Sequence, residues 1–336
     1  MMEVLIFALK ALIIVASLGA LIVLIAMVAS RASQKHELEV EPLHKRFKDF
    51  ALFLKSFTES KQDFKKELKE EKKKEKAAKK HPEGPKKNVF VLNFTGDIHA
   101  SEVENLREEV TAVLQTATSQ DEVVVRLESP GGVVHSYGLA ASQLLRLREH
   151  GISLTICVDE VAASGGYMMA CVANQVIAAP FAIVGSIGVV AQIPNFFRVL
   201  KKHDVDYKEY TAGDYKRTVS LFGEITPKGE EKFQERLVDT HVLFKNFVHK
   251  FRPQVDVNLV ATGEYWFGEE ALKMGLVDRL MTSDEYLLSF EKDTPIYELK
   301  YHVKKTLSDK ISEMLSLSLS KASERVIEKL ENKRFF

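Results

Sequence analysis

The pattern of hydrophobic and polar positions changes twice along the chain and divides it into three parts. The first part contains an uninterrupted apolar run of 19 residues, 11–29, without a charged side chain. Charged residues then become frequent over residues 31–87. From Asn88 onward, short apolar runs alternate with segments whose apolar residues recur every three or four positions. This last pattern predicts alternating strands and helices.

The third part has the character of an α/β domain. We predict strands over residues 88–94, 122–127 and 152–158, and helices over residues 102–114 and 136–149. Elements that alternate at this spacing are typical of a sheet with largely parallel pairing.

The apolar stretch at residues 181–199 could be mistaken for a membrane span. Because Gly185, Ser186 and Pro194 interrupt it, we expect a buried strand and an oligomer contact instead.

The apolar run at residues 11–29 is long enough to cross a bilayer as a helix. A cleavable signal peptide has a shorter apolar region that ends in a small-x-small site, so we favour an uncleaved anchor over residues 1–30. Arg31, Lys35 and Lys45 follow the run, whereas only Lys10 and the amino terminus precede it. The positive-inside rule alone therefore predicts a cytoplasmic location for the remainder of the chain.

Residues 31–87 form a second, charged region. Twelve lysines and six acidic residues fall between residues 61 and 87, with Pro82 and Pro85 near the end. Glutamate and lysine three or four positions apart suit a solvated helix. We expect a charged helical juxtamembrane spacer, and attraction to anionic lipid headgroups is the alternative interpretation.

Charge and composition exclude several classes of protein. The 47 basic residues balance the 47 acidic ones, but residues 1–87 carry 19 basic and 12 acidic side chains, so the remainder is net acidic. A net acidic body argues against a nucleic-acid partner, and a hydrophobic content of 46% excludes intrinsic disorder. Cys157 and Cys171 are too few for a disulfide scaffold or a thiolate zinc site, so free buried thiols are expected. No cofactor and no metal site is expected.

Two segments that follow predicted strands carry candidate chemistry. The residues S-P-G-G at 129–132 offer bare backbone amides for an oxyanion hole, although an ordinary strand-to-helix turn also fits them. Ser164 has small neighbours on both sides and is a candidate nucleophile, with a simple helix N-cap as the alternative. The G-x-S-x-G pattern of the α/β-hydrolases is absent because residue 162 is alanine.

A serine nucleophile needs a general base, and several residues qualify. His99 and His135 are the histidine candidates, whereas the others, His241 among them, lie in charged and apparently exposed settings. Lysine is the other option, because Ser-Lys pairs are an established variant and burial can keep a lysine neutral. Lys216 lies in the aromatic-rich segment 211–222. The residues alone leave a histidine base, a lysine base and a merely solvated Lys216 open.

Five segments together resemble one family, the membrane-anchored serine peptidases of the signal-peptide-peptidase A and SohB type. The matching segments, in the family's order, are S-P-G-G at 129–132, A-S-G-G-Y at 163–167, V-G-S-I-G-V at 184–189, Lys216 at 52 residues after Ser164, and F-G-E-E-A-L-K-M-G-L-V-D at 267–278. The resemblance covers roughly residues 88–289. An apolar anchor and a lysine-rich region before one peptidase unit is most similar to the SohB branch.

The resemblance implies an architecture. The family has the ClpP/crotonase fold, a repeated ββα superhelix, here preceded by a transmembrane helix and a charged helical stalk. It implies a peptidase domain over residues 88–290 and a helical tail over residues 291–336. The motif at 267–278 is expected to be scaffold, with a helix over 268–274, a left-handed cap at Gly275 and a strand at Leu276 and Val277.

The resemblance also implies roles for individual residues. Ser164 corresponds to the nucleophile, Lys216 to the general base, and Ser186 to a hydroxyl that orients the lysine amine. The amides of Gly131 or Gly132, together with that of Gly165, correspond to the oxyanion hole. These roles supply what acyl transfer requires.

The implied function is hydrolysis of peptide bonds by a membrane-bound endopeptidase. Its partners would be peptide or protein substrates, namely signal-peptide remnants or misfolded hydrophobic segments, as well as the lipid bilayer and further copies in a homo-oligomeric ring. The resemblance favours a periplasmic body at a bacterial inner membrane, in contrast to the flanking charge. The alternatives are a non-catalytic membrane scaffold and a crotonase-like acyl-CoA enzyme, and the presence of both Ser164 and Lys216 argues against the latter.

Overall fold

Two β-sheets and the helices packed on them are seen in the computed structural model, which describes residues 36–80, 87–291 and 294–303. Residues 40–300 form one compact unit, and the described residues 36–39 and 301–303 belong to a second unit. The strands are β1 His36–Pro42, β2 Val89–Thr95, β3 Glu122–Glu128, β4 Ser153–Val158, β5 Val161–Ala163, β6 Gln175–Ala178, β7 Ile183–Gly185, β8 Tyr265–Phe267, β9 Arg279–Leu280 and β10 Ile296–Val303.

Helices connect most of these strands. They are α1 Leu43–Thr58, α2 Lys61–Lys80, α3 Val103–Thr116, α4 Val134–Glu149, α5 Gly165–Ala170, α6 Phe197–Lys202, α7 Pro227–Phe251, α8 Val257–Val260, α9 Gly268–Lys273 and α10 Ser283–Leu288. The alternation of strands and helices predicted from residue 88 onward is confirmed, with boundaries shifted by one or two residues.

The larger sheet has the strand order β1-β10-β2-β3-β4-β6-β9. Its strands pair in parallel from β10 through to β9. Val123, Val124 and Val125 of β3 are all fully buried. A continuous valine run suits a central parallel strand, because both of its faces are covered.

The smaller sheet has the order β5-β7-β8, with β5 and β7 parallel and β8 antiparallel to β7. Successive strands alternate between the sheets, so that β4 and β6 belong to the larger one and β5 and β7 to the smaller one. A parallel bridge between Ser129 and Ala162 joins the chain just after β3 to β5. This bridge brings the two candidate loops together.

The main hydrophobic core includes buried residues of the larger sheet and of the helices α3 and α4. Leu106 and Val110 of α3 and Leu144 and Leu147 of α4 are buried in it. They recur at intervals of three or four, which places them on one helix face, as the sequence pattern predicts. Cys157 and Cys171 are free and buried, which confirms the expectation for both thiols.

The helical expectation for the tail is wrong over its first residues, because Ile296–Val303 forms strand β10 beside β2. Glu298 and Lys300 give this segment a charged appearance that resembles a helix surface. However, Glu298 is buried and bonded to Asn93 Nδ2 at 2.9 Å, so its charge lies inside the sheet rather than on a solvated face. The remainder of the tail, from residue 304, lies outside the described residues.

The described part of the charged region, from residue 36, starts with a strand rather than with a helix. His36–Pro42 forms β1, and the helices α1 and α2 follow it, in agreement with the expected helical character of the rest of this region. The alternating order of charged and apolar residues in this segment is a strand pattern with a period of two.

The expectation of a buried strand over residues 181–199 holds only for its first part. β7 ends at Gly185, and the chain after it turns outward, so that Val190 and Ile193 are exposed. Gly185 and Ser186 both have positive φ angles, which end the extended conformation.

No helix within residues 36–80, 87–291 and 294–303 combines the length and the hydropathy needed to cross a membrane. The apolar run at residues 11–29, which is predicted to be the anchor, lies outside the described residues.

Candidate active site

The bridge between the end of β3 and β5 fixes the position of two loops. The Ser129 amide donates to the Val161 carbonyl at 2.8 Å, and the Ala163 amide donates to the Ser129 carbonyl at 3.0 Å. The glycines that follow Ser129 therefore lie beside Ser164, which directly follows β5. The order of these elements explains why two motifs more than thirty residues apart meet.

Ser164 occupies a strained turn between β5 and α5. Its φ and ψ angles are 52° and −117°, a combination that residues with a side chain rarely adopt. Its amide donates to the Gly185 carbonyl at 2.7 Å. It occupies the N-cap position of α5, as the alternative interpretation expects, but its side chain makes no capping hydrogen bond. A strained serine between a strand and a helix is the geometry of nucleophile turns in α/β enzymes.

Gly131 lies directly against this serine. It has a φ of +88°, and a Cβ atom there would stand 2.6 Å from the Ala163 carbonyl oxygen and 2.8 Å from Ser164 Cβ. Both the backbone angle and the space exclude a side chain at Gly131. The glycine thus lets the S-P-G-G backbone approach Ser164 closely.

A buried chain of hydrogen bonds holds this loop. The Gly131 amide donates to Ser129 Oγ at 3.1 Å, and Ser129 Oγ lies 2.6 Å from Tyr137 Oη. Tyr137 Oη donates to the Asp97 carbonyl at 2.7 Å, so the proton between the two hydroxyls comes from Ser129. Ser129 and Tyr137 are fully buried, and burial raises the pKa of Tyr137. Tyr137 therefore stays neutral and serves as a fixed support.

The Tyr137 ring also sets the position of the helix that follows Ser164. A Cβ atom at Gly165 would lie 2.4 Å from the ring, so α5 begins in contact with it. Among the described residues, the amides of Gly132 and Gly165 donate no hydrogen bond, whereas that of Gly131 is bonded to Ser129. Free backbone amides are the donors that an oxyanion hole requires.

Ser186 stands in a turn that parallels that of Ser164. β5 and β7 pair in parallel with Ala163 opposite Gly185, so the two serines follow the last paired residues of neighbouring strands. Ser186 has a φ of 51°, and its amide donates to the Glu264 carbonyl at 2.7 Å. Both serines are half-buried. The two hydroxyl-bearing residues are thus brought to the same end of the smaller sheet.

Lys216 is exposed in the segment between α6 and α7, and its amide donates to the Gly213 carbonyl at 3.1 Å. Among the described residues, its side chain forms no hydrogen bond to Ser164 or Ser186. Its neighbour Tyr215 lies under the ammonium groups of two lysines of α7. The segment is thereby held against α7.

The histidine alternatives form no hydrogen bond to Ser164 either. His99 and His135 are exposed, and among the described residues neither ring is hydrogen-bonded to this serine. The expectation that His241 is exposed is wrong, because it is half-buried on α7 and its Nε2 atom donates to the Ile187 carbonyl at 3.2 Å. His241 therefore supports the chain just after Ser186. Its place depends on how α7 packs, which the charged local sequence does not reveal.

The motif at 267–278 has the scaffold character that its sequence predicts. α9 ends at Lys273, and Gly275 follows with a φ of +75°. The expected strand at Leu276 and Val277 is displaced to β9, Arg279–Leu280. Tyr167 Oη of α5 donates to the Leu276 carbonyl at 2.9 Å, which ties the helix after Ser164 to this motif.

A buried ion pair that sequence reasoning missed completes the support. Arg252, at the end of α7, binds both carboxylate oxygens of Asp278, at 2.7 and 2.8 Å. Burial, the largest single influence, would lower the pKa of Arg252, but the hydrogen bonds to Asp278 and the electrostatic interactions with Asp278 and other neighbouring groups together raise it. A bidentate contact of this kind fixes the orientation of the two side chains as well as the distance between them.

Comparison with protein families covers nearly the whole chain. The sequence profile of the peptidase family S49 N-terminal region matches residues 1–144, and that of peptidase family S49 matches residues 146–296.

Individual relatives extend this result. The chain is 58% identical over 225 residues to a probable protease SohB of Haemophilus influenzae, a match that covers 67% of this chain and 64% of that protein. It is 51% identical over 235 residues to a probable protease SohB of Buchnera aphidicola, covering 70% of each chain. The match therefore spans about two thirds of these relatives' length.

Among solved structures, the chain is similar to the 1510-N membrane-bound stomatin-specific protease. The TM-score is 0.41 at 16% identity, and the match covers 61% of this chain and 84% of that one. The two family profiles and the SohB relatives together show that the chain belongs to peptidase family S49.

Proposed function

We propose that the chain is a serine endopeptidase in which Ser164 is the nucleophile and Lys216 the general base. The observation that carries the proposal is the strained turn at Ser164, against which Gly131 packs so closely that no side chain fits. Strain is retained at such a position only when the surrounding structure holds it, and it concentrates at active sites.

The proposed reaction is acyl transfer in two steps. Ser164 Oγ attacks the scissile carbonyl while the neutral Lys216 amine accepts the hydroxyl proton. The same ammonium group then protonates the leaving amine, and water hydrolyses the acyl-enzyme by the reverse proton path. The Gly165 amide and a second backbone amide bind the oxyanion. The second amide is that of Gly132, or that of Gly131 if the Gly131 N–H divides its hydrogen bond between Ser129 and the oxyanion.

Ser186 orients the lysine amine in this proposal. Because Ala163 pairs with Gly185, Ser186 lies beside Ser164. From this position its hydroxyl can hydrogen-bond the Lys216 amine while the amine faces the Ser164 hydroxyl. A base must stand within hydrogen-bond reach of the proton it removes. The segment that carries Lys216 must therefore close over the two serines when the site is complete.

Self-association into a ring supplies a physical reason for that closure. Several large apolar side chains are exposed, among them Val190 before this segment, Val205 and Tyr210 within it, and Leu243 on α7. Such side chains are available for an interface with a further copy. Burial by a neighbouring copy would remove water from Lys216, which a neutral amine requires.

The proposed substrates are extended hydrophobic polypeptides, namely signal-peptide remnants or misfolded membrane-associated segments, at a bacterial inner membrane to which residues 1–30 anchor the chain. The alternation of strands between two sheets supports the finer assignment to the repeated ββα superhelix. A non-catalytic scaffold with the same fold is the second candidate, favoured by the exposure of Lys216.

Turnover of hydrophobic fluorogenic peptides by the purified full chain tests the proposal. Ser164→Ala and Lys216→Ala should each abolish cleavage, whereas Lys208→Ala, which removes an exposed lysine of the same segment, should retain it. Cleavage that survives both active-site changes would overturn the assignment. The absence of cleavage by the wild type together with intact folding would favour the scaffold.

A further inference from the structure

Helix α1 presents an apolar stripe that no described residue covers. Its first turns bury Leu43 and pack Phe47 against a core cluster. Beyond them the same face continues with Phe50, Phe53, Leu54 and Phe57, whose exposed fractions are 61, 64, 64 and 75%. These four positions follow the i, i+3, i+4, i+7 spacing of one helix face.

The stripe is contiguous, and three of its four residues are aromatic. The Phe53 and Phe57 rings contact each other edge to face, with centroids 5.1 Å apart. Scattered exposed apolar residues need no explanation, but a contiguous aromatic stripe indicates a surface that is covered in use.

The opposite face of α1 identifies the partner. Lys45, Lys48 and Lys55 lie about 130–170° around the helix from the centre of the stripe at the helical angle of about 100° per residue, with Lys55 in an ion pair with Glu67 of α2. α2 follows with ten lysines and five acidic residues. A helix with aromatic residues on one face and basic residues on the other is the type that lies in the plane of a membrane interface.

The chain that precedes α1 points to the same partner. The uncharged 19-residue run ends at residue 29, only 14 residues before Leu43. A run of that length suits a bilayer span, so in the sequence α1 follows shortly after a candidate membrane anchor. Basic residues beside such a span are attracted to anionic headgroups.

We propose that the stripe formed by Phe50, Phe53, Leu54 and Phe57 docks onto the surface of an anionic lipid bilayer. The helix then lies in the headgroup layer, with the aromatic rings directed toward the acyl chains and the lysines toward phosphate groups. This contact is separate from the catalytic residues and does not depend on the proposed chemistry.

A fluorophore at one position on each face tests this docking. The full chain carrying Phe53→Cys, or Ser56→Cys as the matched control on a more polar face, is labelled with the environment-sensitive dye NBD. Cys157 and Cys171 are buried, so the added thiol is the accessible one. The labelled protein is reconstituted in vesicles of phosphatidylcholine and phosphatidylglycerol that contain a lipid-attached nitroxide quencher.

Docking predicts a blue-shifted emission at position 53 and quenching several-fold stronger than at position 56, both weakened in pure phosphatidylcholine. A blue shift at position 53 without lipid quenching would place the stripe in a protein contact, such as a second copy, and would overturn the proposal. Equal and weak quenching at both positions would leave the stripe in water and would equally overturn it.

Discussion

The amide of Ser164 donates a 2.7 Å hydrogen bond to the carbonyl of Gly185, the residue before Ser186. This bond continues the parallel pairing of β5 and β7 by one residue, so the two serines follow the two strands side by side. Both depart from extended geometry there, with φ angles of 52° and 51°. The smaller sheet thus presents two strained hydroxyl-bearing turns at one end.

Replacing Gly131 by alanine should disrupt the site. The added Cβ atom would lie 2.6 Å from the Ala163 carbonyl oxygen, at a φ of +88°. We expect a loss of roughly 1–3 kcal/mol in the free energy of unfolding and a loss of peptidase activity. Gly138→Ala is the control, because nothing lies within 4 Å of its Cβ position inside α4. It should stabilise the protein by about 0.5–1 kcal/mol. Urea unfolding measures both, and equal effects would refute the close packing at Gly131.

Tyr137→Phe should slow acylation more than it destabilises the fold. The change removes the hydroxyl that joins Ser129 Oγ to the Asp97 carbonyl, while the ring that supports Gly165 remains. We expect about 1–2 kcal/mol lower stability. The rate of inactivation by a fluorophosphonate should fall on the order of ten- to hundred-fold, since the S-P-G-G loop loses its fixed position.

The matched control is Tyr167→Phe. Tyr167 is also fully buried, and its hydroxyl donates to the Leu276 carbonyl, away from the S-P-G-G loop. Tyr167→Phe should lower the free energy of unfolding by a similar amount, and its rate of inactivation by the fluorophosphonate should stay closer to that of the wild type. If both variants slow inactivation equally, the hydroxyl of Tyr137 acts only through stability.

Substitutions of Lys216 should show whether catalysis needs its positive charge or its ability to accept a proton. Lys216→Ala should lower turnover by roughly 10²–10⁴-fold, and Lys216→Arg should not restore it, because a guanidinium group stays protonated. Rescue by arginine would instead indicate that the positive charge at this position binds substrate.

The Arg252–Asp278 pair should matter for stability. Arg252 is 3% exposed, so Asp278→Asn would weaken the pairing of a buried charge, and we expect a loss of up to about 3–5 kcal/mol. Asp284→Asn is the control, because Asp284 pairs with Arg126 at 2.8 Å while 82% exposed. That change should alter stability by less than about 1 kcal/mol. Thermal unfolding of the two variants would show the contrast, and comparable losses would contradict it.

The sequence predicts the strand and helix order of the body well, because its signals are local. The valine run of β3 and the spaced apolar residues of α3 and α4 are visible without knowledge of their neighbours. Ile296–Val303 was not predictable in this way, since the burial of Glu298 depends on Asn93, which lies far away in the sequence.

The same distinction between local and long-range signals applies to the residues of the candidate site. Ser164, Gly131 and Gly165 follow strand ends and carry small residues, which local patterns reveal. The support from Tyr137, Arg252 and His241 arises only when distant helices pack, so their sequences give no sign of it. The place of Lys216 depends on a segment without regular structure, for which no periodicity exists.

The central claim, that Ser164 is the nucleophile, is tested most directly by covalent labelling. The purified full chain is treated with a fluorophosphonate, and the modified peptide is identified by mass spectrometry. The account predicts one adduct on Ser164 in the wild type and none in Ser164→Ala, with Ser142→Ala, an exposed serine of α4, labelled as the wild type is. Undiminished labelling of Ser164→Ala, or no labelling of the folded wild type, would contradict it.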